Sequence, residues 1–194
     1  RKVEPDGHGR MVADVISAQK DDGYLGPFPR EWRLTGKTVN SQGEQTGTWD
    51  LWGHYHVMLG LLLWHIEHGD RQALEACRRI ADLFRARFLA GGERPVDTGS
   101  QEMNLAPVHV FALLYERTGH RPYLELAHRF EQDFEMPPAG DYVRTALAGM
   151  PFHQTPKPRW ESLHPIQGVA ELYFATGEEK YRKAFEQIWW SIVE

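Results

Sequence analysis

The chain has one cysteine, Cys77, among its 194 residues. A single thiol cannot form an intrachain disulfide, and it excludes a metal site built from several cysteines of these residues. Positive charge is also scarce, since the net charge is −5 and Lys and Arg form no block. Nucleic acids are bound by concentrated positive charge, so this distribution argues against a nucleic-acid partner.

Long apolar runs are missing as well. The longest, residues 57–64, is much shorter than the stretch of about 20 residues that a membrane-spanning helix needs. The first residues, RKVEPDGHGR, contain neither an initiator methionine nor a signal-peptide pattern. We therefore expect a soluble protein without a membrane partner, in a compartment that the sequence does not specify.

The signatures of several enzyme classes are absent: there is no nucleophile elbow, P-loop, HExxH or GxGxxG motif. No βαβ pattern occurs, and we predict no strand. Aromatic residues, in contrast, are abundant, with 12% Phe, Trp and Tyr and seven tryptophans. An unusually aromatic core would explain them, and so would a groove that stacks flat apolar ligands.

Three segments share one form, in which an apolar helix, a glycine, a short polar turn and an amphipathic helix follow each other. The glycines are Gly69, Gly119 and Gly177, at spacings of 50 and 58 residues. Glycine after a helix adopts left-handed φ and ψ without a Cβ penalty. The spacings exceed the ~34 residues of a tetratricopeptide repeat. They favour an all-α array of helical hairpins with long loops, as in an α/α toroid.

The first helix of each hairpin differs from the second. Residues 57–64 are apolar all round, so we predict an inner helix that is buried on every side. The long connections 26–48, 90–101 and 136–160 each link a second helix to the next first helix. They should therefore gather on one rim, at the N-terminal ends of the inner helices, where a rigid scaffold can hold a site.

The stretch TWDLWGHYH, residues 48–56, begins the first inner helix at this rim. It contains Trp49, Asp50 and His56. His54 and His56 are two residues apart, so they point in different directions on a helix. Two interpretations of His56 stay open: a core histidine satisfied by one hydrogen bond, or a residue that contacts a ligand at the rim.

The stretch HQTPKPRWESLHPIQG, residues 153–168, is the counterpart of that region in the third hairpin. It places Trp160, Glu161 and His164 near the start of an inner helix. Tryptophan and histidine thus recur at equivalent helix starts in two hairpins. We therefore predict that His56 and His164 belong to one site.

Two further candidates lie on neighbouring loops. Gln19 precedes the turn DGYL, and Glu102 is either part of a helix start or a carboxylate on the rim. His65 and His68 lie at the opposite, turn end of their helix, where the helix C-terminus favours cations. We interpret that pair as structural and predict no metal site in this chain.

Four stretches resemble a known family. AQKDDGYLG, GHYHVMLGLLLWHIEHGD, QEMNLAPVHVFALLYERTGHRPYLELAHRFEQDF and HPIQGVAELYFATGEEKYRKAFEQIWWSIV together are similar to the β-L-arabinofuranosidases of glycoside hydrolase family 127. The resemblance follows the order of the chain over nearly its whole length. It implies an (α/α)6 barrel, of which about seven helices are present. We therefore expect residues 1–194 to form one partial α/α-barrel domain, a fragment of a longer catalytic domain.

The resemblance also implies roles for individual residues. His56 matches the histidine of a GHL-like motif, His164 that of an HPxxG-like motif, and Gln19 the glutamine of QxxDGYL. The expected sugar-contacting residues are His56, His164, Gln19, Trp49 and Trp160. Many members have a histidine just before the glutamate of this element, where this chain reads Ser100-Gln101-Glu102. This departure bears on the substrate and the subfamily.

The acid/base glutamate of the family, and its zinc-bound glutamate and cysteines, belong to later parts of the barrel. The resemblance thus implies that the catalytic residues lie outside this chain, which binds no cofactor itself, and that the complete protein holds zinc. The complete protein would be a glycosidase acting on arabinofuranose-type sugars. These residues alone would be inactive.

Other interpretations remain open. A different sugar-active toroid, such as an unsaturated glucuronyl hydrolase or an epimerase, would use Asp50, Glu102 or Glu161 as catalytic carboxylates. A non-enzymatic helical scaffold would present its rim to a partner. In each case an incomplete barrel leaves an apolar flank exposed, and we expect that flank to associate with another chain.

Overall fold

The computed structural model describes residues 7–193, and α-helices dominate it. They are α1 (Gly7–Ser17), α2 (Asp50–His68), α3 (Arg71–Arg85), α4 (Gln101–Asn104), α5 (Pro107–Thr118), α6 (Arg121–Gln132), α7 (Tyr142–Leu147), α8 (Leu163–Thr176) and α9 (Glu179–Val193). Seven helices of this described part have 11 or more residues, which confirms the predicted all-α fold. None of its helices is long and apolar enough to cross a membrane.

One small sheet lies in the first long connection. Strands β1 (Lys37–Val39) and β2 (Gln45–Gly47) pair antiparallel, with Thr38 opposite Thr46. The prediction of no strand was therefore wrong. Each strand has three residues that are mostly exposed, so neither shows the apolar alternation by which strands are recognised.

The three hairpins are α2–α3, α5–α6 and α8–α9. Gly69, Gly119 and Gly177 follow the first helices with φ of +68°, +67° and +73°, as their predicted role requires. Each donates its backbone N–H to the carbonyl four residues earlier. After Gly69, the carboxylate of Asp70 accepts two N–H groups from the first turn of α3. A left-handed glycine and a cap thus turn the chain within a few residues.

The hairpins are arranged in two layers. Helices α2, α5 and α8 are neighbours in one layer, and α3, α6 and α9 pack on their outer side. Helices α5 and α8 approach very closely at Gly168, where a Cβ would lie 2.5 Å from Cγ1 of Val108 and 2.8 Å from the backbone nitrogen of His109. This close packing brings the second turn of α8 against the first turn of α5.

Aromatic residues fill the core between the layers. The rings of Phe84, Phe88, Phe111 and Phe130 contact one another, with centroids 5.3 to 6.1 Å apart. Cys77 is completely buried in the same core. The high aromatic content of the sequence is thus partly explained by packing.

The surface of α2 differs from its prediction. Leu63 and Ile66 are about half exposed, so the inner helix is not buried on every side. Trp189 and Trp190 on α9 are exposed to a similar degree. The predicted exposed apolar flank is therefore present in this chain, and its association with another chain stays a prediction.

The long connections meet at one rim. The buried amide of Asn104 donates to the carbonyls of Thr48 and Thr98, which ties the first connection to the second. An ion pair between Glu102 and Arg159 ties the second to the third. The predicted gathering of loops at the start of the inner helices is thus confirmed.

Candidate functional site

Six side chains of the described residues meet at this rim. We call them the aromatic–imidazole cluster: Trp52, Tyr55, His56, His109, Trp160 and His164. Three come from the beginning of α2, where the i, i+3 and i+4 spacing puts them on neighbouring positions of the helix surface. The others come from the first turns of α5 and α8 and from the turn just before α8.

His56 and His164 lie next to each other in the cluster. Their ring centroids are 5.3 Å apart, and the ring of Trp52 packs edge-on against both, at 4.5 and 4.7 Å. His56 is exposed and His164 is half-buried. The fold thus brings together two histidines 108 positions apart in the sequence, with both rings accessible to a ligand.

His54 shows the opposite arrangement, as its spacing from His56 predicts. Its Nδ1–H donates to the carbonyl of Asp50 (2.8 Å), and its Nε2 accepts the N–H of Leu25 (3.2 Å). The ring is almost completely buried. His54 therefore holds the first loop against α2, while His56 faces the cluster.

Tyr55 lies beneath the two exposed rings. Its hydroxyl oxygen is 2.9 Å from Nδ1 of His109 and 3.0 Å from Nδ1 of His164. Tyr55 is completely buried and His109 is nearly so. The tyrosine hydroxyl therefore joins α2, α5 and α8 at one point.

The surroundings of the three imidazoles of the cluster lower their pKa values and so favour the uncharged form. Burial lowers the pKa of His56. It also lowers the pKa of His164, where the neighbouring His56 acts in the same direction and Glu161 opposes it. Burial, together with His164, lowers the pKa of His109 to about 4. A neutral imidazole has one N–H donor and one acceptor nitrogen, which suits uncharged hydroxyl groups.

Trp160 forms the outer edge of the cluster. Its ring is 66% exposed and lies 6.1 Å from that of His164 and 6.3 Å from that of Trp52. The preceding residue, Arg159, donates to the buried carboxylate of Glu102 at 2.6 Å. An exposed indole is thus held at the rim by an adjacent ion pair.

That ion pair predicts a pH-dependent stability. Burial raises the pKa of Glu102, but its own backbone N–H, Arg159 and Lys157 together hold the pKa below its usual value. A lowered carboxyl pKa stabilises the fold above the unfolded pKa, and this contribution is lost as pH falls through the folded one. Glu102→Gln is therefore expected to lose about 1–3 kcal/mol at neutral pH, and less below about pH 4.

Urea unfolding of both proteins between about pH 3 and pH 7 measures this difference. Glu125→Gln is the matched control, because its pair with Arg121 is exposed and 3.7 Å long. An equal stability difference between Glu102→Gln and the wild type at every pH would contradict the prediction.

Two of the expected sugar-contacting residues, Gln19 and Trp49, are not members of the aromatic–imidazole cluster. The amide of Gln19 donates to the carbonyls of Gly23 and Ala76, both at 3.0 Å, and so anchors the DGYL turn to α3. Trp49 immediately precedes α2 and is 60% exposed. The structure thus brings together His56, His164 and Trp160, whereas the amide N–H groups of Gln19 have backbone partners.

The candidate carboxylates of the rim also differ in their surroundings. Asp50 is buried and accepts the hydroxyl of Tyr24 (3.0 Å) and the N–H of Leu34 (2.8 Å). Glu161 is half-buried in the turn before α8, close enough to act on the pKa of His164. Asp50 and Glu102 therefore both serve to hold loops in place.

The resemblance implies zinc for the complete protein, and the donors that the described residues could offer it are few. Within residues 7–193, no group of three or more His, Cys, Asp and Glu side chains is placed to hold a metal ion. The thiol of Cys77 donates to the carbonyl of Met58, and burial raises its pKa to about 12. The thiolate form that binds zinc is therefore strongly disfavoured.

Sequence reasoning missed Trp52, Tyr55 and His109. A signal for the first two was present, since they precede His56 by four and by one residue in an aromatic helix start. His109 carried no such signal, because it lies in an apolar helix without a tryptophan beside it. Only the packing of α5 against α2 and α8 brings it to Tyr55.

Comparisons with known proteins agree with this architecture. The crystal structure of Ara127N-Se, a GH127 beta-L-arabinofuranosidase from Geobacillus stearothermophilus T6, superposes with a TM-score of 0.61 at 21% sequence identity. The match covers 97% of this chain and 32% of that one, so the chain spans about a third of the enzyme's length. No curated protein sequence matches. The model of the family described as Beta-L-arabinofuranosidase, GH127 catalytic domain, matches residues 6–194, and the chain therefore belongs to that glycoside hydrolase family.

Proposed function

We propose that the complete protein containing this chain hydrolyses β-L-arabinofuranosidic bonds, and that the aromatic–imidazole cluster forms one wall of its sugar pocket. The observation that carries the proposal is the meeting of His56 and His164, 5.3 Å apart, beside exposed indole surface. Family membership supports the hydrolase, and the geometry of the rim supports the sugar contact.

In this proposal the histidines bind hydroxyl groups. Their lowered pKa values favour the neutral form, in which each ring can donate one hydrogen bond and accept another. A sugar hydroxyl does the same, which makes the two groups complementary. The exposed face of Trp160 offers a flat apolar surface for the C–H face of a sugar ring. The ligand would therefore be recognised by donor–acceptor pattern and shape, without charge.

An apolar groove lies on one side of the cluster. It has a volume of about 530 Å³, runs between α1 and α2, and includes His56 among its lining residues. Met11, Leu61 and Trp64 line it as well. The groove leaves one side of the His56 ring open, so the proposed sugar contact needs no movement of α2.

Two of the three candidate carboxylates, Asp50 and Glu102, have surroundings that do not favour a catalytic role. Glycosidases that use two carboxyl groups keep both free to reach the glycosidic bond. Asp50 and Glu102 instead accept hydrogen bonds from loop groups and are almost completely buried. The proposal therefore assigns binding to this chain and bond cleavage to groups elsewhere in the complete protein.

A substrate panel tests the proposal. The complete gene product is expected to release p-nitrophenol from the β-L-arabinofuranoside at least tenfold faster than from the α-L-arabinofuranoside. It should not act on an unsaturated glucuronyl disaccharide. Cleavage of the unsaturated disaccharide alone would favour the glucuronyl hydrolase, and turnover of none of the three would favour the epimerase or the scaffold.

A further inference from the structure

The buried part of the cluster holds a hydrogen-bond chain that the sugar contact does not use. It consists of His109, Tyr55 and His164, which we call the tyrosine–histidine chain. The hydroxyl of Tyr55 lies within 3.0 Å of one ring nitrogen, Nδ1, of each histidine. Both contacts have ordinary hydrogen-bond lengths, and the hydroxyl is sealed from solvent.

The protons of the tyrosine–histidine chain can be counted. Burial raises the pKa of Tyr55 to about 12, so its hydroxyl carries one proton. That proton can be donated to only one Nδ1, and the hydroxyl oxygen must then accept an N–H from the other. One histidine therefore has its proton on Nδ1, and the second has its proton on Nε2. The two rings must adopt opposite tautomers.

We propose that Tyr55 and His109 are positioning residues that fix the tautomer and the ring orientation of His164. Because Nδ1 of His164 is held by Tyr55, its Nε2 is the nitrogen left for a ligand. The tautomer decides whether that Nε2 donates to a sugar hydroxyl or accepts from it. This inference rests on the proposed function, in which His164 contacts the sugar.

The close packing of two helix backbones supports this positioning role. Gly168 lies one turn after His164 on α8 and packs directly on Val108 and the backbone of His109. Because no side chain separates the two helices there, His109 and His164 both reach the hydroxyl that α2 supplies. The ring orientation of the half-buried His164 is thus determined by buried atoms on α2 and α5.

Nitrogen chemical shifts of the imidazoles test the inference directly. In the complete protein with ¹⁵N-labelled histidine, near pH 8, His109 and His164 are expected to show opposite tautomers. Tyr55→Phe should change at least one of them to the averaged shifts of a mixed population. Tyr181→Phe is the matched control, since Tyr181 is also buried and its hydroxyl lies 3.3 Å from Nδ1 of His128, outside the cluster. It should leave both rings as in the wild type.

A second variant, His109→Leu, tests the inference even if Tyr55→Phe folds poorly. In His109→Leu, the hydroxyl of Tyr55 keeps one partner, and satisfying its proton requires donation to Nδ1 of His164. His164 should then carry its proton on Nε2. Identical tautomers in the wild type, or an Nδ1–H form of His164 in His109→Leu, would overturn the inference.

Ligand binding separates this inference from the proposed function. Tyr55→Phe should weaken the binding of methyl β-L-arabinofuranoside to the complete protein about two- to fivefold, because a mixed tautomer population leaves only a fraction of His164 in the binding form. If the tautomers follow the prediction and the wild type binds no sugar, the proposed function fails and the hydrogen-bond chain stands. If sugar binds and Tyr55→Phe leaves both tautomers and affinity unchanged, the positioning role fails alone.

Discussion

Alanine at His56 or at His164 is expected to lower kcat/KM of the complete protein for a β-L-arabinofuranoside by about 100-fold. In the proposed pocket, each change removes a donor–acceptor group beside a sugar hydroxyl, and leaving such a hydroxyl unpaired costs about 1–3 kcal/mol. His56 is exposed and His164 only half-buried, so neither side chain carries much of the core packing. The loss in His56→Ala should therefore appear in kinetics rather than in folding, whereas His164→Ala also removes one partner of the buried Tyr55 hydroxyl and should lower stability as well.

Steady-state kinetics and thermal melting of the same preparations measure the two effects. His153→Ala is the matched control, because His153 is exposed on the same long connection as Trp160, and its Nε2 lies 3.3 Å from the side-chain amide nitrogen of the neighbouring Gln154. It should keep wild-type kcat/KM. Full turnover in both His56→Ala and His164→Ala would show that the cluster is not the sugar pocket.

Alanine at Asp133 is expected to produce the largest loss of stability, about 3 kcal/mol. The carboxylate of Asp133 is completely buried and accepts from Arg94 (2.7 Å), Arg129 (2.9 Å) and the backbone N–H of Val96 (2.8 Å). Removing one partner of a buried ion pair leaves the opposite charges uncompensated and an N–H unpaired. The connection that leads to α4 would lose its anchor on α6.

Urea unfolding at neutral pH measures this loss. Asp82→Ala is the matched control, since the pair of Asp82 with Arg85 has a similar length, 2.9 Å, but lies at the surface. Exposed pairs contribute about 0–1 kcal/mol, so the control should remain close to the wild type. Equal losses in the two variants would mean that burial of Asp133 adds nothing to its ion pairs.

The fold was largely predictable because its determinants are local. Gly69, Gly119 and Gly177 mark the turns, and the apolar stripes of the second helices repeat at helical spacing. Local sequence patterns fail to predict an element that is very short, or the exposure of one side of a helix that is apolar all round. The β1–β2 hairpin has too few residues for a pattern, and the exposed side of α2 has the same apolar composition as its buried side.

The site was only partly predictable. His56, Trp160 and His164 stand out because tryptophan and histidine recur at two helix starts, and the structure brings the three together. Gln19 stood out for its motif, yet its amide N–H groups bind backbone carbonyls. The partner Ala76 lies 57 positions away in the chain, and a contact over that distance cannot be deduced from one sequence.

The sequence by itself determined the class of the molecule: helical hairpins with glycine turns, one thiol, no strong charge of either sign, and histidines at the starts of inner helices. Tertiary structure alone decided which polar groups meet. Gly168 lets α8 close on α5, and only then does the hydroxyl of Tyr55 reach both His109 and His164. Helix geometry depends on neighbours along the chain, whereas a hydrogen bond between three helices depends on interhelical distances to within a few tenths of an ångström.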